Sequence, residues 1–373
     1  MRTTSRSLPL LEGEARRGSS HRTAQTSPTG QPAGGIAFPA PLFCADTSAR
    51  TKTILAYTLR RTLILVASLF VAAVVLFVLL RLLPGDPANA LLGVGATEQQ
   101  IAAARAQVGS DQPLYVQFVG FLGNIARLDL GTSFVSRASV LEEIGNRMAV
   151  TLPLTFFGFI IALALAIPLG ILAAVRSDKW YGAAVSVISQ LGIAIPVFWL
   201  GILLVTLFSI NLRWLPSGGF PLKGWANFGE AITGMILPAL TIGLVMGASL
   251  LRYVRAATLD VLGSDFLRTA RALGASFPEA LIRHGIRNGA VPVISILGIE
   301  LASTFLGAVV IERVFSLPGL GSMLLLAIQQ RDYPNVQGVL FISTLLVLLI
   351  GFAADIAQRL IDPRLRGRGR GFA

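Results

Sequence analysis

The sequence predicts an all-α polytopic membrane protein, and three observations support that prediction. Of the 373 residues, 54% are hydrophobic, and the mean hydropathy is +0.71. Only 13% of the residues are charged, whereas a soluble domain carries roughly 25% charged residues. Uncharged runs long enough to cross a hydrocarbon core of ~30 Å recur along the chain. The solvent for most of this protein is therefore a bilayer.

The chain begins with a polar segment, residues 1–50, which is rich in Ser, Thr, Pro, Gly and Arg and contains no apolar run of signal-peptide length. This composition predicts a disordered cytoplasmic tail. The first span follows as Leu63–Leu80, an uninterrupted uncharged run of 18 residues. Lys52, Arg60 and Arg61 precede that span, and such a basic flank favours a cytoplasmic N-terminus.

Five further spans are expected. The runs are Leu152–Val175, Trp180–Ile210, Ala231–Leu251, Gly289–Ile311 and Gly338–Ala354. Six spans place both termini on one side of the membrane. Lys and Arg are much denser in the segments that this arrangement puts in the cytoplasm than in the external ones (81–147, 211–230 and 312–337), as the positive-inside rule requires. We therefore attribute the net charge of +12 to topology and not to nucleic-acid binding.

The external segment 81–147 is too long for a simple turn. It contains Pro84-Gly85-Asp86-Pro87, then a helical stretch, Glu98–Val108, and then a stretch with apolar spacing, Pro113–Leu128. We predict a small extracytoplasmic subdomain between the first and second spans. Asp86 has two interpretations, a turn cap beside the proline or a contact with a solute, and the turn cap is favoured.

The chain lacks the residues that catalysis and cofactor binding require. One cysteine, Cys44, excludes a disulfide within the chain, and two histidines leave no histidine cluster for a metal. A nucleotide-binding loop needs Gly-x-x-x-x-Gly-Lys-Ser/Thr. Among the lysines only Lys52 precedes a threonine, and it follows Thr51 rather than a glycine. We therefore expect no enzyme activity, no cofactor and no metal on this chain.

Glu300, Pro196 and Pro238 are candidates for the lining of a pathway. A charge in the middle of the fifth span costs roughly 2.5–3.5 kcal/mol on insertion scales, so Glu300 should face a polar pathway, be protonated or have a partner. The alternative role for Glu300 is a hydrogen bond between helices. The two prolines kink spans by removing a backbone donor, which either curves helices around a pathway or serves ordinary packing.

The most informative segment is polar and lies between the fourth and fifth spans, at Ser264–Asn288. Two short helices are predicted there, joined at Gly274, a residue suited to the left-handed position that ends a helix. Two apolar stripes are predicted, with four arginines around them. Phe266, Ala270 and Leu273 form the first stripe, Phe277, Leu281 and Ile282 form the second, and the arginines are Arg268, Arg271, Arg283 and Arg287. The pattern predicts a docking surface for a soluble partner. Attraction of the arginines to anionic lipid, at ~1 kcal/mol each, is the alternative.

Several segments resemble the B-type permease subunits of dipeptide/oligopeptide ABC importers. In this loop, Arg268-Thr269-Ala270 takes the place of the Glu-Ala-Ala of the cytoplasmic EAA loop, Gly274 is its glycine and Ile286-Arg287-Asn288 its exit. The glutamate of the general importer pattern is missing. The other similar segments are Leu80–Pro87, Glu312–Gly321, Arg331–Pro334 and Asp362–Arg364. These segments occur in the family's order along a chain with six spans, so the resemblance covers about residues 52–366.

The resemblance implies a type I ABC importer fold and a five-part assembly. This chain would pair with a C-type permease to enclose the pathway. Two cytoplasmic ATPase subunits, which carry ATP and Mg²⁺, would dock on the EAA loops, and an extracytoplasmic binding protein would deliver the solute. The first span and external segment occupy 51–147 and the permease core 148–366, with the coupling loop at about 260–288 and a basic cytoplasmic tail at 367–373.

The resemblance also implies coupling residues, a location and a class of solute. The residues expected to contact an ATPase are Phe266, Arg268, Thr269, Ala270, Leu273, Gly274, Phe277, Leu281, Arg283 and Ile286. The location is a bacterial inner membrane. Di- or oligopeptides are the expected solutes, although similar permeases move glutathione, nickel complexes and other small solutes. A channel or a secondary transporter without ATP coupling is the alternative, but no clear internal repeat is present.

Overall fold

The computed structural model describes residues 47–82 and 97–361. The helices of these residues are α1 (Thr47–Leu82), α2 (Glu98–Val108), α3 (Leu114–Ala126), α4 (Val140–Val175), α5 (Trp180–Ala194), α6 (Val197–Leu204), α7 (Phe228–Leu262), α8 (Asp265–Ala272), α9 (Phe277–Ala280), α10 (Arg287–Val314), α11 (Leu320–Gln329) and α12 (Tyr333–Ile361). The predicted N-terminal tail up to residue 46, the Pro84–Pro87 turn and the tail 367–373 lie outside the described residues.

The described residues contain six spans when the bent pair α5–α6 is counted as one. Five helices are long and apolar enough to cross a membrane by themselves: Tyr57–Arg81, Val140–Val175, Phe228–Leu262, Asn288–Val314 and Tyr333–Leu360. The predicted all-α fold with six spans is thereby confirmed.

The third span differs from the straight helix that the run Trp180–Ile210 suggests. α5 and α6 meet at an angle of 104°, and the break lies at Ile195-Pro196. Proline lacks a backbone donor and disfavours the helical conformation of the residue before it. Ile195 is accordingly extended, with φ −79° and ψ 125°. A π-helical turn, Val205–Asn211, ends this span.

The second span begins earlier than expected. α4 starts at Val140 and not near Leu152, so its first turns lie inside the segment predicted to be external. Charged residues in these turns, Glu142 and Glu143 among them, interrupt the uncharged run. A search for apolar runs therefore does not detect the start of the helix. The opposite face of the same turns is buried, with Ile144 only 1% exposed.

The helix predicted over Glu98–Val108 is confirmed, and the stretch with apolar spacing after it also contains a helix, α3. α2 has the predicted bounds because Thr97 forms a capping box at its start and Gly109, with φ of 69°, closes it in the left-handed conformation. α3 lies against α1 through aromatic contacts, and the ring centroid of Phe118 is 5.2 Å from that of Phe77.

The centre of the fold is the contact between α4 and α7, where small residues let two spans approach closely. A Cβ atom built on Gly158 of α4 would lie 2.5 Å from Cγ2 of Ile242, and one built on Gly243 of α7 would lie 2.5 Å from Cγ2 of Ile161. Neither position has room for a side chain. The two helices are therefore held at the distance that these glycines set.

The connectivity defines two ends of the bundle. We call the end where α7 stops and α10 starts the loop end, and the end where α10 stops and α12 starts the opposite end.

At the opposite end, Asp332 is 1% exposed. It accepts hydrogen bonds from the Ser133 hydroxyl, the Phe134 backbone N–H and the Asn335 amide. Asn335 also donates to Glu143 of α4 at 2.9 Å. The start of α12 is thus fixed to α4 and to the segment before it.

Gly158→Ala should destabilise the protein, because inserting a methyl group into a packed contact costs typically ~1–3 kcal/mol. Gly145 is a matched control on the same helix, since a Cβ atom there would meet nothing within 4 Å. Thermal unfolding in detergent measures both variants, and a lower melting temperature is expected for Gly158→Ala alone. Equal melting temperatures would contradict the close approach of α4 and α7.

Candidate functional site

The loop between the fourth and fifth spans folds as two short helices, as the sequence predicts. α8 and α9 are joined at Gly274, which has φ of +95°. The backbone N–H of Gly274 donates to the carbonyl of Arg271 at 3.0 Å, and that of Ala275 donates to the carbonyl of Ala270 at 3.2 Å. This is the Schellman motif, in which a left-handed residue satisfies the last carbonyls of a helix.

The loop leads into the fifth span without a break. A π-helical turn, Leu281–Ile286, connects α9 directly to α10. A Cβ atom on Gly285 of this turn would lie 2.9 Å from both Leu281 and Val261 of α7, so the turn packs closely on the end of the fourth span. The side chain of Ile286 is outside the part of the chain that the structure describes.

One face of the loop is buried against the bundle. Leu267 is 3% exposed, Ala280 is 0% exposed and Leu281 is 7% exposed. The sequence assigns Leu281 to an outward apolar stripe, whereas the structure buries it, and its side chain and that of Val261 on α7 both lie 2.9 Å from the position that a Cβ atom on Gly285 would take. Leu267 and Ala280 belong to neither predicted stripe. Each lies beside a stripe residue, and only the direction in which the short helices face the bundle reveals their role.

The other face of the loop is apolar and exposed. Leu273 is 84% exposed and Ile282 is 65% exposed, while Phe266 and Phe277 are half-buried. The guanidinium of Arg271 lies over the Phe277 ring, 5.9 Å from its centroid. Exposed apolar side chains with arginine beside them are typical of a surface that another protein covers.

The remaining predicted coupling residues lie on the same loop. Arg268 and Arg283 are exposed, and Nη1 of Arg268 is 3.7 Å from a carboxylate oxygen of Asp265. Thr269 is exposed and its hydroxyl donates to the backbone carbonyl of Asp265 at 2.9 Å. Ala270 is half-buried. Arg268, Arg271 and Arg283 are therefore exposed on the same loop as the apolar face.

The three pathway candidates lie at different places. Pro196 is exposed at the break between α5 and α6, and Pro238 is buried in α7. Glu300 is half-buried in α10, where the hydroxyl of Ser249 on α7 donates to it at 2.6 Å. This contact is the hydrogen bond between helices that was the alternative to pathway lining. Ser249 lies ~16 Å from Pro238 along α7, so Glu300 and Pro238 differ in depth.

An apolar groove of about 780 Å³ lies between α4, α10 and α12. Its phenylalanines are Phe156, Phe157, Phe159 and Phe305. The sequence does not single out this groove, because phenylalanines in a span look the same whether they face lipid or a cleft. Within residues 47–82 and 97–361, no group of His, Cys, Asp and Glu side chains is arranged to hold a metal ion.

Gly274→Ala should strain the loop by about 1–2 kcal/mol, because an L-residue is disfavoured in the left-handed region. A methyl group there would meet nothing within 4 Å, so the strain is purely conformational. Gly263, with φ of −78°, is the matched control at the start of the loop. Hydrogen exchange of the α8 and α9 amides should accelerate for Gly274→Ala and stay unchanged for Gly263→Ala. Unchanged exchange in both would rule out the Schellman geometry.

Ser249→Ala should destabilise the protein by about 1–3 kcal/mol, since it removes a donor from the Glu300 carboxylate inside a span. Ser186 is the matched control, because its hydroxyl donates only within its own helix, to Gly182 at 3.0 Å. Thermal unfolding in detergent compares the two. A Ser249→Ala shift no larger than that of Ser186→Ala would mean that the contact between α7 and α10 contributes nothing.

Comparison with known proteins places these features in a family. Residues 166–367, which include the loop and four of the spans, match the family described as binding-protein-dependent transport system inner membrane component. Residues 54–155 match the N-terminal region described for such membrane components. The glutathione transport system permease protein GsiC of Escherichia coli strain K12 is 38% identical over 310 residues, which cover 83% of this chain and 98% of GsiC. GsiC of Salmonella typhimurium strain LT2 gives the same values.

Among solved structures, the inward-facing MetNI methionine ABC transporter matches 59% of this chain and 96% of its own, with 19% sequence identity and a TM-score of 0.48. The family matches together span both halves of the described chain and agree with the permease resemblance of the sequence motifs. The protein belongs to the family of binding-protein-dependent transport system inner membrane components.

Proposed function

We propose that this chain is the permease subunit of an ATP-driven importer and receives ATPase subunits on the loop between the fourth and fifth spans. The observation that carries this proposal is the loop itself. Leu267, Ala280 and Leu281 of the loop are buried, its π-helical turn packs on the end of α7, and Leu273 and Ile282 are exposed to solvent. An apolar surface with arginines beside it, attached at both ends to spans, is suited to receive a soluble partner and to pass its movement to the helices.

The energy source lies on other subunits in this proposal. The chain has no nucleotide-binding loop, so two ATPase subunits hold ATP and Mg²⁺ and close on each other during hydrolysis. A C-type permease faces this chain, and the two together enclose the pathway. The apolar groove between α4, α10 and α12 is one surface that such a pairing can enclose. An extracytoplasmic binding protein delivers the solute.

The proposed orientation puts the loop end in the cytoplasm. Arg268, Arg271 and Arg283 lie on the loop, and Arg252 and Arg255 lie on the last turns of α7. Arginine at the cytoplasmic ends of spans is what the positive-inside rule expects. Both termini are then cytoplasmic, and the segment between the first two spans is extracytoplasmic.

The proposed solute is a small peptide or a peptide-like compound. The similarity to glutathione permeases supports this class, since glutathione is itself a modified tripeptide. In this division of labour the binding protein selects the solute, and the mostly apolar lining of the groove offers few polar groups with which the permease could discriminate between peptides.

Leu273→Asp should abolish the docking of the ATPase, because it places a charge in the middle of the proposed apolar contact. Leu222 is the matched control, an even more exposed leucine on the loop before α7 at the opposite end. The wild-type chain, tagged and extracted gently from its native membrane, should bring an ATPase and a second permease with it. Leu222→Asp should retain both proteins, and Leu273→Asp should retain the permease alone.

Two results would overturn the proposal. If the folded wild-type chain is recovered alone or only with copies of itself, a channel or a secondary transporter becomes the better assignment. If Leu273→Asp retains as much ATPase as Leu222→Asp, the loop is not the docking surface.

A further inference from the structure

The most deeply buried carboxylate among the described residues is Glu312, in the last turn of α10 at the opposite end. It is 0% exposed. The Thr151 hydroxyl of α4 donates to one carboxylate oxygen at 2.6 Å, and the Ser322 backbone N–H donates to the other at 3.0 Å. A carboxylate so far from water needs such donors. Both come from other helices, so Glu312 joins α10 to α4 and to α11.

Glu312 and Thr151 together cap the start of α11. The Leu320 backbone N–H donates to the Thr151 hydroxyl at 2.9 Å, and the Ser322 N–H donates to Glu312. The first N–H groups of a helix have no partner within it and carry partial positive charge, so a carboxylate and a hydroxyl satisfy them well. A Cβ atom on Gly319 would overlap the Glu312 carboxyl group. The glycine before α11 is therefore required by the carboxylate.

The same helix connects this network to the docking loop. α10 runs from Arg287, directly after the loop, to Val314, and Glu312 is two residues from its end. Its 28 residues span ~42 Å. One end of α10 is thus attached to the loop and the other end is fixed by hydrogen bonds to α4 and α11.

We infer that Glu312 is a positioning residue for the transport cycle: it fixes the end of α10 to α4 and α11, so that a movement of the loop is transmitted to the opposite end of the bundle. The inference rests on the proposed function, which supplies the movement of the loop. Without the carboxylate, α10 and α11 are free to shift past each other, and a displacement that enters at the loop is lost before it reaches α11.

The test compares α11 in two nucleotide states of the assembled complex. Ile328 lies on α11 and is 54% exposed; a cysteine there, in a chain with Cys44→Ser, is labelled with a membrane-impermeant maleimide. In the otherwise wild-type complex, the labelling rate should change several-fold between the nucleotide-free state and the state trapped with ATP and vanadate. Glu312→Ala and Thr151→Val should abolish that change while the ATPase subunits remain bound.

Thr241→Val is the matched control. Thr241 is also buried, but its hydroxyl donates only within its own helix, to the Leu237 carbonyl at 2.8 Å. It should keep the nucleotide-dependent change, and Thr151→Ser, which keeps the hydroxyl, should restore it. A merely structural role of Glu312 would lower the yield of Glu312→Ala and Thr151→Val and leave the ratio of the two labelling rates unaltered.

The inference is overturned if Thr151→Val and Thr241→Val keep the same ratio, or if the wild-type complex binds its ATPase and shows no nucleotide-dependent change at Ile328. Loss of the ATPase from the wild-type complex is a different result, because it refutes the proposed function. Thr151→Val decides the matter should Glu312→Ala fail to fold, since a valine has nearly the same shape as a threonine.

Discussion

The opposite end of this protein depends on the need of one buried carboxylate for hydrogen-bond donors. Glu312 is fully buried, so the protein supplies the donors, and they come from α4 and α11. Satisfying the carboxylate fixes where three helices lie. Apolar packing alone would not do this as sharply, because inside a bilayer an apolar surface gains little by choosing a helix over lipid. Close contacts of small residues, as at Gly158 and Gly243, set distances, whereas hydrogen bonds to Glu312 set positions along the helix axes.

A second buried carboxylate completes the arrangement at the other end of α11. Asp332 follows that helix and binds the segment before α4, as Glu312 precedes it and binds α4 itself. The two turns that flank α11 contain Ser316 and Arg331 in the left-handed region, with φ of 52° and 56°. Such residues cost of order 1–2 kcal/mol each and persist where the surroundings hold them. Both are the left-handed residues of Schellman motifs: the backbone N–H of Leu317 donates to the carbonyl of Glu312 at 2.8 Å, and that of Asp332 donates to the carbonyl of Ala327 at 2.9 Å.

Local sequence signals predict most of the fold, because the hydropathy of a span and the cap of a helix both depend on residues that are close together in the chain. The run Leu63–Leu80 is recognised as a span from its own composition. Gly274 is recognised as the end of a helix from its position after a short helical stretch. Long-range contacts leave no such signal. Glu312 falls in a segment that hydropathy assigns to the exterior, yet its partner Thr151 is 161 residues away. The prediction that Leu281 faces outward is wrong for the same reason, since its burial depends on the packing of the loop against another helix, near Val261.

The loop end is held differently from the opposite end, and the contrast bears on how the spans move. Beneath the π-helical turn lies an apolar cavity of about 110 Å³, lined by α4, α7 and α10. Helical turns of the π type recur at functional sites.

In the proposed cycle, a displacement of the loop enters α10 through the π-helical turn and meets a hydrogen-bonded anchor at the far end. Sliding α10 along its axis would break the hydrogen bonds to Glu312, so the start of α11, which these bonds hold, has to move with the end of α10. The inferred transmission of a loop movement to α11 therefore depends on the donors of α4 and α11, which hold the end of α10 in place.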